Sequence, residues 1–199
     1  MQAFKTIALS LLSIFILFGC APAPYQKIGK PGTLLDRDRY SVLSPEGEDW
    51  HVVSTHDRGK TIFMKKLPSP KHTSYAMISR EEMTTQFDTP EKFLTVMKAL
   101  TEMMDPKRFT FLEQKTFLDD KFGLFSVRIS HRVEDHGPRS VDVPYLIMTT
   151  LMYCFLDPDD ARIRFVLTYS ERGKAGELDG NFEESARKFF DGVKVKRRN

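Results

Sequence analysis

Cysteine is scarce in this 199-residue chain: Cys20 and Cys154 are the only two. A disulfide framework is excluded, so the fold must be held by its core. Net charge is small too, formally +3. Residues 1–19 carry Lys5 and no acid, and without them the balance falls to +2. Setting aside Lys194, Lys196, Arg197 and Arg198 as well leaves the body at −2. The alkaline pI is therefore a property of the tail and not of a basic face, which argues against nucleic acid as a partner. Internal repeats and low-complexity segments are missing. So are the G-x-S-x-G elbow, the H-E-x-x-H helix and the Gly-rich phosphate loop, and with them the motif-borne routes to hydrolase, zincin or nucleotide chemistry.

What is present begins with a leader. Lys5 gives a positive start, and Ile7 to Gly19 (IALSLLSIFILFG) runs without a charge up to Cys20. Thirteen helical residues rise about 20 Å, short of the roughly 30 Å hydrocarbon core of a bilayer. That length suits a signal-peptide core better than a span. Pro22 and Pro24 then prevent the helix from continuing. The end of the leader, Leu17-Phe18-Gly19-Cys20, resembles the lipobox of bacterial lipoproteins, with an aliphatic residue at −3, a small one at −1 and the acceptor cysteine. Phe18 is bulkier than the pattern. The resemblance implies cleavage before Cys20, diacylglyceryl and N-acyl lipid on that residue, and anchoring to a membrane. Ala21 after the cysteine resembles the outer-membrane sorting pattern, which implies a domain facing the periplasm. Two or more acyl chains suffice for stable anchoring at about 0.8 kcal/mol per buried CH₂.

Residues 20–38 hold three prolines and two glycines without periodicity and read as a flexible tether. A single domain is expected over 39–195, followed by a basic tail, 196–199. Strands are expected at Trp50–Thr55, Thr61–Leu67, Ser74–Ser79 and Arg108–Phe117. Phe125, Val127, Ile129, His131 and Val133 alternate with polar residues and predict a half-buried strand. Tyr145–Leu156 is apolar on both faces and predicts an interior strand, which Asp157-Pro158-Asp159-Asp160 turns back into Arg162–Ser170. Two helices are predicted. The first has Thr89 as N-cap, Pro90 in its first turn and a stripe of Phe93, Val96, Met97, Leu100 and Met104, and it stops at Asp105-Pro106. The second runs from about Phe182 to Asp191, with Phe182, Ala186, Phe189 and Phe190 on one side and Gly192 at its exit. The pattern indicates an α+β fold with a mainly antiparallel sheet packed by helices.

The order of these elements, with Tyr40-Ser41-Val42-Leu43-Ser44-Pro45 leading to Trp50, Val166-Leu167-Thr168-Tyr169-Ser170 closing the hairpin, and Phe182-Glu183-Glu184-Ser185 opening a helix followed by Val193-Lys194-Val195, resembles the PsbP/Mog1-like fold. The resemblance implies an α-β-α sandwich and an accessory or binding role without catalysis. It carries over no ligand residues.

Four arginines and two histidines are candidates for chemistry. Arg128 and Arg132 share the polar face of one predicted strand, and Arg162 and Arg164 share that of another. Were the strands neighbours, the four would form an anion-binding patch, against the alternative of a solvated face. His131 and His136, with Glu134 and Asp135 between them, suggest a metal site, but a separation of five points their rings to opposite faces of a strand. His51 and His56 share that spacing. Cys154 lies in an uncharged run and reads as packing, not as a nucleophile. No cofactor is expected beyond the lipid on Cys20. Three functions stay open: a lipid-anchored accessory module for an envelope protein partner, a small-ligand carrier built on the Met- and Phe-rich helix and the two-sided apolar strand, and an unrecognised hydrolase or metalloenzyme.

Overall fold

The turn at Asp157-Pro158-Asp159-Asp160 folds the chain into its longest hairpin, and the other elements are arranged around it. The computed structural model describes residues 25–53, 57, 59–67, 69, 71–137 and 142–197. In chain order these form β1 (Tyr25–Lys27), β2 (Leu34–Asp36), β3 (Tyr40–Leu43), β4 (Trp50–Val53), β5 (Lys60–Lys65), β6 (Thr73–Glu82), α1 (Pro90–Glu102), β7 (Phe109–Leu118), a 3₁₀ turn (Asp120–Phe122), β8 (Ser126–Asp135), β9 (Leu146–Asp157), β10 (Asp160–Gly173), α2 (Phe182–Asp191) and β11 (Val193–Val195). Eight strands make one antiparallel sheet in the order β1-β4-β5-β6-β10-β9-β8-β7, and β11-β3-β2 make a second. The fold is a sheet-dominated α+β architecture, as the strand-rich pattern predicts.

Period-two alternation divides the hairpin between two cores. On one face Phe155 lies opposite Phe165 and Tyr153 opposite Leu167. There Phe155 stacks on Phe165 with ring centroids 5.3 Å apart, and the Tyr153 ring meets Phe190 of α2 edge-on at 5.2 Å. The side chains predicted for the stripe of α2 (Phe182, Ala186, Phe189 and Phe190) are all buried here, together with Tyr40 and Val42 of β3. Each fully buried aromatic or aliphatic side chain of this size contributes about 1.5–3 kcal/mol. On the other face Val127, Ile129, Cys154 and Leu156 receive Phe93 and Met97 of α1. The two helices therefore pack on opposite faces of the large sheet.

The sequence-based expectations differ from the structure at the tether and along α1. Residues 20–38 were expected as a tether, yet from Tyr25 onward they join the sheets. Tyr25–Lys27 pairs with Val53–His51, and Leu34–Asp36 pairs with Leu43–Ser41. Leu35 packs against the aromatic core, and Gly32 at φ 70° makes the left-handed turn between the two strands. Strands of three residues are too short to show a period, which hid them. In α1 the buried set is Phe93, Met97 and Thr101, whereas Leu100 of the expected stripe is 43 % exposed. The cap is as predicted, with the Thr89 hydroxyl accepting from the Lys92 amide at 3.3 Å. The leader, Cys20, residues 54–56 with His56, and the last two residues lie outside the described residues.

Candidate functional site

Along the α1-facing side of β9, alternation aligns Met148, Thr150, Met152 and Cys154. The register sets Met152 opposite Ile129 of β8 and Thr150 opposite His131. From the other flank, β10 adds Arg164 and Val166, and β6, its neighbour in the sheet, adds Tyr75 and Glu81. Phe93 and Met97 seat the first half of α1 on this surface. Beyond them the helix carries Leu100 and Thr101, and Met104 follows it. These residues roof a cleft of about 330 Å³. Four of the chain's nine methionines line it (Met97, Met104, Met148 and Met152). Unbranched thioether side chains adapt to occupants of different shape. This explains Leu100: it borders an opening instead of filling a core.

Most polar groups in the cleft are already paired. Arg164 donates from Nε and Nη2 to Glu81 Oε2 at 3.0 and 2.7 Å, and its Nη1 lies 3.7 Å from Met97 Sδ. Burial pushes the Glu81 carboxyl up, but the Ser79 hydroxyl and Arg164 outweigh it and hold the group below its ordinary value. Thr150 and Ser170 share a hydroxyl bond at 2.8 Å; burial raises the pKa of Tyr75, and the neighbouring Ser170 side chain offsets part of that rise. The Thr101 hydroxyl donates to the Met97 carbonyl at 2.9 Å. His131 is the exception. It is 6 % exposed, meets the Phe111 ring edge-on at 6.0 Å, and has no hydrogen-bond partner among the described residues at either ring nitrogen. Its Nδ1 is sealed from solvent. Burial lowers its pKa, so it stays a neutral imidazole. Burial likewise pushes the Cys154 thiol up to about 12, which leaves no thiolate for nucleophilic chemistry.

The four-arginine patch does not form. β9 runs between β8 and β10, and the pairs face opposite sides of the sheet. Arg128 and Arg132 lie on the α2 side, in a groove of about 400 Å³ with Lys115, Glu113 and Glu183. Arg128 rests over the Phe117 ring at 5.9 Å. Arg164 belongs to the cleft on the other face, and Arg162 is bound to Asp160 by two contacts of 3.0 Å. The expectation failed because a single strand's polar face does not reveal which strand lies beside it.

The histidines are not brought together as a metal pair either. His136 Nε2 sits 3.2 Å from Glu134 Oε2, and its ring packs against Tyr145. His51 Nδ1 is 3.0 Å from the Asp49 carbonyl. Among the described residues no three His, Cys, Asp or Glu side chains are placed to hold an ion.

Glu81 was missed from sequence. The strand expected over Ser74–Ser79 continues to Glu82. The signal was the alternation itself, which carries Glu81 onto the same face as Met77 and Ser79. No protein-family model matches the chain, and no curated protein matches it in sequence.

Proposed function

We propose that this chain is a lipid-anchored binding lipoprotein of the bacterial cell envelope that carries a small apolar ligand in the cleft beneath α1. In this reading diacylglyceryl and N-acyl chains on Cys20 hold it to the outer membrane, facing the periplasm, without catalytic activity. The lipobox-like end of the leader supports the anchor. Helices on opposite faces of an antiparallel sheet support a PsbP/Mog1-like α-β-α sandwich. The observation that carries the binding role is the cleft of about 330 Å³, lined by four methionines and by polar groups that are nearly all internally paired. Such a lining suits an apolar guest.

The test is saturable binding of the fluorophore N-phenyl-1-naphthylamine to the mature protein. One site per chain is expected, weakened at least about tenfold in Leu100→Trp, which fills the mouth, a loss of 1.4 kcal/mol. Absence of binding, or binding indifferent to Leu100→Trp, would sink the carrier role.

A second reading, an accessory module for an envelope protein partner, is favoured by β7. This ten-residue strand forms one edge of the large sheet and exposes Leu112, Phe117 and Leu118. An unpaired edge of that length is a template for strand addition. A photo-crosslinker at Leu112 should then capture a partner in intact cells, and a clean monomer would count against it.

A further inference from the structure

Resting on the carrier reading, we infer that the cleft selects an uncharged, mainly apolar ligand bearing a hydrogen-bond-accepting oxygen, such as an ester or ketone, and that His131 is its specificity residue. The polar inventory leads there. Glu81, Arg164, Thr101 and Thr150 all have hydrogen-bond partners within the protein, and the Tyr75 hydroxyl has the Ser170 side chain beside it. His131 lines the same cleft and has none among the described residues.

A neutral imidazole has one N–H and one bare nitrogen, and its surroundings decide which is which. Sealed and unpartnered Nδ1 is better left bare, because a buried orphan donor is rarer in proteins than an orphan acceptor. The proton therefore sits on Nε2, and the side chain offers one donor to whatever fills the cleft. An accepting oxygen satisfies it. A pure hydrocarbon leaves it unsatisfied once water is displaced, which is how a site built around a polar group rejects an analogue lacking that group.

The cleft's charge excludes the other obvious apolar class, fatty acids. Its one guanidinium, Arg164, already holds Glu81 through two nitrogens. A carboxylate guest would lie beside the Glu81 carboxylate without a free cation to pair with, so like-charge repulsion and desolvation both oppose it.

The experiment is displacement of N-phenyl-1-naphthylamine from the mature protein by methyl decanoate, decane and decanoate. The ester is expected to compete at concentrations about tenfold lower than either of the others, equivalent to 1.4 kcal/mol. His131→Phe should erase the ester's advantage over decane while the fluorophore still binds. His131→Gln, which keeps an N–H donor, should retain most of it, and this variant also guards against a phenylalanine that disturbs the fold. Decanoate competing as well as the ester would overturn the inference, as would an ester advantage that survives in His131→Phe. Failure of the fluorophore to bind the unaltered protein is a separate result: it removes the cleft reading itself and the inference with it.

Discussion

Arg39 and Asp157 stand 118 residues apart in the chain, yet Arg39 Nη2 lies 3.1 Å from Asp157 Oδ1. The Asp157 side chain is fully buried, and Arg39 is largely so. Arg39 also reaches Asp159 at 2.9 Å, and Arg80 approaches Asp157 at 3.4 Å. The contact fastens the start of β3, in the small sheet, to the turn of the β9–β10 hairpin in the large one. Removing one member of a buried, hydrogen-bonded ion pair strands the other, which costs about 3–5 kcal/mol. Asp157→Ala should lower the urea-unfolding free energy toward the lower end of that range, because Arg80 loses its carboxylate while Arg39 keeps Asp159. A loss under about 1 kcal/mol would show that contacts other than this ion pair, such as the Tyr40–Thr61 hydroxyl bond and the apolar core, join the sheets.

The separation of the arginines gives a second expectation. Arg164→Ala leaves half-buried Glu81 without its ion pair and should destabilise the protein by roughly 1 kcal/mol, reduced by the exposure of both groups. Arg128→Ala, whose contact is the Phe117 ring, should stay within about 0.5 kcal/mol of the unaltered protein. Because the two lie on opposite faces with a strand between them, the double variant should equal the sum of the singles to within about 0.5 kcal/mol. A larger coupling in a double-mutant cycle would mean that the faces communicate.

Acidification should act through His131. Burial lowers its folded-state pKa below the ordinary 6.5. Between that lowered value and about 6.5 the unfolded chain binds more protons than the folded one, so stability falls as pH falls through this window. Urea midpoints at pH 7.5 and 5.5 should converge in His131→Phe relative to the unaltered protein. The lowered carboxylates act at lower pH. Asp135, where burial is outweighed by Arg108 and Arg172, holds its contribution above the ordinary 3.8 and loses it as pH drops through its depressed value. An unchanged pH slope in His131→Phe would exclude the histidine as its source.

Thiol counting tests the packing and the anchor together. Cys154 is buried and its thiol is pushed up to about 12, so it should resist a disulfide reagent at pH 8 until the protein unfolds. The mature native chain should titrate no thiol and the denatured chain one, since lipid on Cys20 would occupy the other sulfur. Two thiols on denaturation would refute lipidation. One in the native state with no further thiol on denaturation would refute the burial of Cys154.

Much of this architecture was legible because it rests on periodicity. Phe182, Ala186, Phe189 and Phe190 fall on one helical face by spacing alone, and Ile163, Phe165, Leu167 and Tyr169 on one strand face. Contacts set by strand order were not legible. The sequence pairs Arg162 with Arg164, but the fold pairs Arg164 with Glu81, 83 residues away. The cleft was half visible: the methionines of α1 and the two-sided β9 suggested a pocket, and His131 was noticed as apolar-facing. That its nitrogens lack partners depends on every neighbour's hydrogen bonds, which no local pattern encodes. The tether failed for a related reason, since β1 and β2 are defined only by the strands they join.

The early start of the sheet bears on posture at a membrane. Tyr25 is five residue steps from Cys20, and a fully extended chain covers at most about 18 Å over that distance. Were Cys20 the anchor, the β1 border of the sheet would be moored close to the headgroups. At about 4.8 Å per strand the β7 border lies roughly 34 Å from the β1 border across the sheet. A tether that short would leave the opposite rim, where Leu112 and Phe117 are exposed, as the part of the sheet able to reach furthest from the bilayer.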